Sequence, residues 1–434
     1  MIYGFVIVLG WFGSLFLPHF QIGFNVLMIL LQLIISFFML QSFKFYVTIG
    51  FNYSQSIIKS LFILICTIHL IALVLATLNM NALYVLWNRL GAGTMFQGKN
   101  LFYWGDLAHI FSAINCEDKV ILGQNNCDPW SRPFNQNPDI IKFLELSNIT
   151  SLFIVGLIST LIFYVIFFKI VLADSKNSLL YIIFLISPPI ILALDRGNEI
   201  ITFIFIMIGI YFLRKNTWVQ LLGGISLAIA SFYKLWPVVF ISLILLFAWN
   251  NLKLGPKFVM GLSILYWIFN FGNATKMISY TDIGSPLGLS FGLKHFFNGS
   301  IPIQINLILL LSTILVTLYY FNLIRKLGVE FTSNLFAQKI FLSLIMTYVS
   351  LWFFGTNYVY RLILLVPIAL YVSIFLGTKR MRVELLSLFL VIFLTSRLSI
   401  TNVFTSSLAL VFIFIGIILI RKIWYPRSNF SFIV

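Results

Sequence analysis

Apolar runs of roughly helix-spanning length follow one another along nearly the whole chain, and one long polar interval interrupts them. The runs fall near 1–17, 22–40, 58–78, 150–171, 179–194, 199–213, 218–233, 236–249, 258–271, 303–323, 340–354, 360–377, 383–400 and 402–420. A helix crossing the hydrocarbon of a bilayer needs about 20 apolar residues, within roughly 17–25. The pattern therefore predicts an all-α, polytopic transmembrane bundle of about 12–14 spans. Several runs are short, and two pairs (218–233/236–249 and 383–400/402–420) are separated by only a few residues. The first run, MIYGFVIVLGWFGSLFL, lacks the charged start and small-residue cleavage site of a signal peptide and reads as a retained first span.

The polar interval divides the chain. N-terminal spans occupy 1–78, a large loop 79–150, a core transmembrane module 151–271, a second loop 272–302 and C-terminal spans 303–434. The large loop carries Asp106, Glu117, Asp118, Asp128, Asp139 and Glu145, half of the 12 acidic residues. Loops this long are usually functional rather than simple connectors. Asp128-Pro129 and Asn137-Pro138 read as turn chemistry, and Asp118, Asp128 and Asp139 as turn or solvated acids. Cys116 and Cys127 share this loop and could form a disulfide in an oxidising compartment. Cys66 lies in an apolar run and reads as a packing residue.

Composition agrees with the pattern. The chain is 61% hydrophobic and only 9% charged, whereas soluble domains carry roughly 25% charged residues. Its net charge of +16 would raise nucleic acid as a partner in a soluble protein. No basic run with interleaved aromatics supports that. Placing the large loop outside and alternating puts 17 of the 28 basic residues on the cytoplasmic side, with three acids: Asp174, Glu330 and Glu384. The other 11 bases and nine acids fall outside. This is the positive-inside signature, and it makes both termini cytoplasmic and both long loops extracytoplasmic. No phosphate-binding glycine loop or dinucleotide fingerprint is present, which argues against chemistry on a cytosolic nucleotide.

Four ionisable clusters fall on the external side: Trp104-Gly105-Asp106-Leu107-Ala108-His109, Leu194-Asp195-Arg196-Gly197-Asn198-Glu199, Tyr233-Lys234-Leu235-Trp236-Pro237 and Asn357-Tyr358-Val359-Tyr360-Arg361. Charge beside transmembrane segments is costly and marks function by default. Arg196, Lys234 and Arg361 could form a cationic pocket at headgroup depth, suited to a phosphate or diphosphate. Arg196 could equally pair with Asp195 or Glu199, Lys234 could snorkel to the interface, and Arg361 could anchor a helix end. Asp106 is the candidate general base. His109, Asn198, Glu199, Tyr233, Asn357 and Tyr358 are candidate substrate contacts. Asp106 with His109 is too small a set to indicate a metal, and no cofactor is expected.

These elements resemble the C superfamily of glycosyltransferases, and most closely glycosyltransferase family 87, which includes polyprenol-phosphate-mannose-dependent mannosyltransferases. The resemblance rests on Asp106 with Leu107-Ala108-His109-Ile110-Phe111, on Asp128-Pro129-Trp130, on Arg196-Gly197-Asn198, and on the Gly- and Ala-containing run 222–228 closed by Lys234-Leu235-Trp236-Pro237. It covers most of 79–250 and departs from the family at Trp130, Asn198 and the number of preceding spans. It implies a sugar donor on a polyprenyl phosphate, a glycan or glycolipid acceptor, and inversion with Asp106 as base. The lipid phosphate would be held by Arg196, Lys234 and Arg361, at the external face of a bacterial inner membrane. Two other classes are the alternatives. One is a lipid-linked oligosaccharide polymerase or ligase. The other is a lipid or solute transporter (a flippase), which would instead place charge near the midplane and show repeats.

Overall fold

The computed structural model describes residues 26–49, 55–77, 104–114, 116, 127, 136–147, 151–215, 218–281, 290–293, 296, 303–331, 334–354, 357–396 and 400–424. The proposed first span, much of both long loops, Asp118, Asp128 and Trp130 lie outside them. The described residues form seventeen α-helices: α1 (Val26–Ile49), α2 (Gln55–Thr77), α3 (Gly105–Ile114), α4 (Pro138–Leu146), α5 (Leu152–Ala173), α6 (Ser178–Leu185), α7 (Pro188–Arg196), α8 (Asn198–Leu213), α9 (Trp218–Tyr233), α10 (Pro237–Ala248), α11 (Leu254–Phe269), α12 (Phe271–Thr281), α13 (Ile303–Leu327), α14 (Leu335–Phe354), α15 (Leu365–Phe375), α16 (Lys379–Thr395) and α17 (Thr401–Trp424). A two-residue antiparallel pair joins β1 (Ser290–Phe291) to β2 (Asn357–Tyr358), with Ser290 opposite Tyr358 and Phe291 opposite Asn357. A 3-10 segment, Val359–Leu364, follows β2.

The chain is a membrane-embedded helical bundle. Five helices among the described residues are long and apolar enough to cross a bilayer, or seven if two bent pairs each count as one span. Helices α8, α9 and α10 are apolar but shorter, at 16, 16 and 12 residues. The run expected over 179–194 is broken at Ser187, where Pro188 and Pro189 open α7 and the axis bends by 54°. Proline is favoured in a first helical turn and cannot continue a preceding helix. A second bend of 72° separates α11 from α12, so residues 271–281, read from sequence as the last residue of a span and the start of a loop, are helical.

Helices α7 and α16 are almost wholly buried. Peripheral α2, α5 and α13 present apolar side chains outward, Val165 and Leu315 among them. Apolar surface on that scale suits lipid rather than water. Small residues set the closest helix approaches: a Cβ on Gly223 of α9 would lie 2.8 Å from the Leu213 nitrogen, and one on Gly224 2.8 Å from Pro256 Cα. Such residues let membrane helices pack backbone to backbone. The site lies where α7, α8 and α9 end or begin, with the 3-10 segment packed on α7.

Candidate active site

The loop helix α3 is anchored at its start by Trp104. Trp104 precedes it with φ 53°, a left-handed conformation rare for a bulky residue. Its indole is buried and donates to Thr160 Oγ1 at 3.2 Å. It lies against Gly156 of α5, where a Cβ would come within 2.3 Å of the ring. Gly197, between α7 and α8, has φ 76° and abuts Trp104 and Leu107. That glycine lets α7 end and α8 begin without an intervening loop. Leu107 and Phe111 bury the inner face of α3 against Ala72, Leu73 and Ile201. Asp106 then sits in the first turn of α3, where a carboxylate is favoured by the helix dipole.

Three of the four charged clusters meet Asp106 or its neighbours directly. Arg196 Nη1 donates to Asp106 Oδ1 at 3.1 Å, and both side chains are mostly buried. Asn198 Nδ2 donates to the Asp106 carbonyl at 3.1 Å and its Oδ1 accepts from the Tyr233 hydroxyl at 2.7 Å. Glu199 is fully buried; it accepts from Trp236 Nε1 at 3.2 Å and faces Arg361 Nε at 3.4 Å. The fourth cluster, through Arg361, therefore joins the same network. Lys234 is buried between Tyr233 and Trp236 in sequence. Asp195 and His109 are also buried. The backbone of Asn357 and Tyr358 forms β2, which ends three residues before Arg361; their side chains lie outside the described residues. Among the described residues, no three His, Cys, Asp or Glu side chains gather as a metal site.

The partners differ from those the sequence offered. Arg196 pairs with Asp106, an acid from a distant segment, and Glu199 pairs with Arg361. Neighbours one residue apart on a helix point in different directions, so a long-range partner is the better match. Two of the three proposed phosphate-binding cations thus each face a carboxylate, and the cluster is close to charge-balanced.

Cys116 and Cys127 form a disulfide, just beyond the end of α3. Sequence reasoning treated Asn137-Pro138-Asp139 as a turn, but it opens α4. Asn137 caps the helix by accepting from the Asp139 amide, and Pro138 occupies its first position. The capping signature of Asn, then Pro, then an acid was readable. Asn137 also donates to the Phe232 carbonyl at 3.0 Å. The Tyr266 hydroxyl donates to Asp139 Oδ2 at 2.6 Å and lies 3.0 Å from Asn137 Oδ1. Tyr266, and then Lys142, hold the Asp139 carboxyl below the usual carboxylate range. The loop helices are therefore pinned to the ends of α8, α9 and α11.

No protein-family model, curated protein or solved structure matches the chain.

Proposed function

We propose that the chain is an integral-membrane glycosyltransferase of the C superfamily, resembling family 87. It moves a mannose-like hexose from a polyprenyl-phosphate donor to an acceptor hydroxyl at the extracytoplasmic face, with both termini cytoplasmic. Asp106 takes the proton of the acceptor hydroxyl. The acceptor oxygen forms the new bond to the anomeric carbon from the face opposite the leaving group. The bond from that carbon to the phosphate oxygen breaks, and its electron pair leaves with the lipid phosphate. Arg196, Lys234 and Arg361 stabilise that charge, the electrostatic part of such catalysis.

The observation that carries this reading is the ion pair between Asp106 and Arg196. It sets a candidate base and a candidate phosphate ligand in contact, on segments 90 residues apart in sequence. In this reading the donor phosphate draws Arg196 from Asp106, so the base becomes fully available only when the donor is bound. Asn198 and Tyr233 hold the Asp106 backbone in place, and Glu199 orients Arg361.

The test is transfer in proteoliposomes supplied with a polyprenyl-phosphate mannose donor and an oligosaccharide acceptor. Wild type transfers the sugar. Asp106→Asn, folded and of nearly the same shape, loses on the order of 10²–10⁴ in rate, the usual worth of a general base. Undiminished transfer by that variant removes Asp106 from the role.

A further inference from the structure

A second cationic site lies at the other end of the bundle. Lys339 is near the start of α14, whereas Arg361 follows its end; 15 residues of helix separate Lys339 from Phe354, about 22 Å. Lys339 is only 7% exposed. An ammonium has three donors, and the one hydrogen bond it makes within the described residues is to Asn251 Oδ1 at 2.7 Å. That partner is a neutral amide. A buried charge without a counter-charge is expensive and ordinarily finds an anion.

The acids expected at this end do not supply it. Asp174 accepts from Asn177 and Tyr181. Glu384 faces Lys44 at 2.7 Å. Glu330 is exposed, and its backbone carbonyl accepts from the Gly377 amide.

The surroundings of Lys339 are built rather than frayed. Gln220 donates to the carbonyls of Leu213 and Asn251, each at 3.1 Å, and accepts from the Lys253 amide at 2.7 Å. One buried amide thereby ties the ends of α8 and α10 to the start of α11. Asn251 is held at its carbonyl by Gln220 and at its side chain by Lys339. This brings Lys253 beside Asn251. Lys257, one turn further on, lies over the half-exposed Trp249 ring at 4.4 Å. Leu254, beside Lys253, is 81% exposed. Cations beside an outward-facing tryptophan and leucine, on a membrane-embedded bundle, match the headgroup zone.

We infer that Lys339, with Lys253 and Lys257, binds the phosphate headgroup of an anionic phospholipid at the end of the bundle remote from Asp106. The phosphate oxygens take the Lys339 donors that Asn251 leaves over. The acyl chains lie along the apolar surface beside Trp249. This site is independent of the proposed transferase reaction.

The test uses the full chain, delipidated in detergent and assayed by native mass spectrometry and thermal unfolding with added phosphatidylglycerol, phosphatidylcholine or inorganic phosphate. The expected result is retention of phosphatidylglycerol and a rise in Tm that phosphatidylcholine and inorganic phosphate do not produce. Lys339→Gln weakens that binding on the order of tenfold, the worth of one charge-assisted hydrogen bond, and Lys339→Arg keeps it. Equal retention of the two lipids by wild type overturns the site without recourse to any variant. So does a Lys339→Gln protein that binds phosphatidylglycerol as wild type does. An equal rise in Tm with inorganic phosphate alone overturns the lipid as ligand.

Discussion

Ion pairs between mostly buried side chains occur at both ends of this bundle, and they are built differently. At the end predicted to face the cytoplasm, Glu384 of α16 takes Lys44 of α1 at 2.7 Å and the Tyr319 hydroxyl at 2.9 Å, while Tyr320 donates to its carbonyl at 3.3 Å. Three long helices are stapled along their sides. At the other end, Asp106 and Glu199 sit in first helical turns and meet arginines from a helix C-terminus and a 3-10 segment, at 3.1 and 3.4 Å. The first arrangement joins helix walls and has a fixed partner for each oxygen. The second is assembled from helix ends and a 3-10 segment, brought together from distant parts of the sequence. The contrast separates charge that joins helix walls from charge gathered at helix ends, where the proposed chemistry would sit.

The largest expected stability loss tests the architectural side. Glu384→Ala leaves Lys44 without its carboxylate in a mostly buried position and should cost about 3–5 kcal/mol, seen as a fall in Tm in detergent. An unchanged Tm would place that pair with the replaceable ones. Next in size is Gly156→Val. It drives methyl groups into the Trp104 ring and should cost about 1–3 kcal/mol by overpacking. Because Trp104 anchors α3, transfer should fall further than stability alone accounts for. Thr160→Val removes the indole's acceptor and should cost about 1 kcal/mol, with a smaller loss of transfer.

The smallest effect concerns pH. The folded Asp139 carboxyl lies below its unfolded value of about 3.9, through Tyr266 and then Lys142. Its contribution is therefore fully present above that value and is lost as pH falls through the depressed folded value. Protection of residues 138–146 from hydrogen exchange, corrected for intrinsic rates, should fall across that acid window. Tyr266→Phe should lower the protection at neutral pH and flatten the acid dependence. An acid profile unaltered by Tyr266→Phe would contradict the docking of α4 through that hydroxyl.

Much of the scaffold was legible in the sequence. The runs 150–171 and 303–323 correspond to α5 and α13, because a continuous apolar stretch of that length has few alternatives in lipid. The four charged clusters were legible too, since charge is conspicuous in so apolar a chain. Their pairing was not. Arg196 had acids one and three residues away, yet takes one 90 residues distant, and only the packing of α3 against α7 makes that contact. The notch for Trp104 escaped for the same reason: Gly156 and Gly197 are ordinary in sequence and matter only once α5 and α7 flank the indole. The break at Ser187 was visible in Pro188-Pro189 and was masked by the apolar run around it.

The central claim is that Asp106 serves chemistry while Glu384 serves structure. One side-by-side measurement tests it: specific transfer activity and Tm of Asp106→Asn and Glu384→Gln in the same lipid. The expected result is that Asp106→Asn loses on the order of 10²–10⁴ in transfer, beyond whatever fall in Tm the loss of the Arg196 ion pair brings, and that Glu384→Gln lowers Tm while the folded fraction keeps its specific activity. Transfer retained by Asp106→Asn, or lost by well-folded Glu384→Gln, would contradict it.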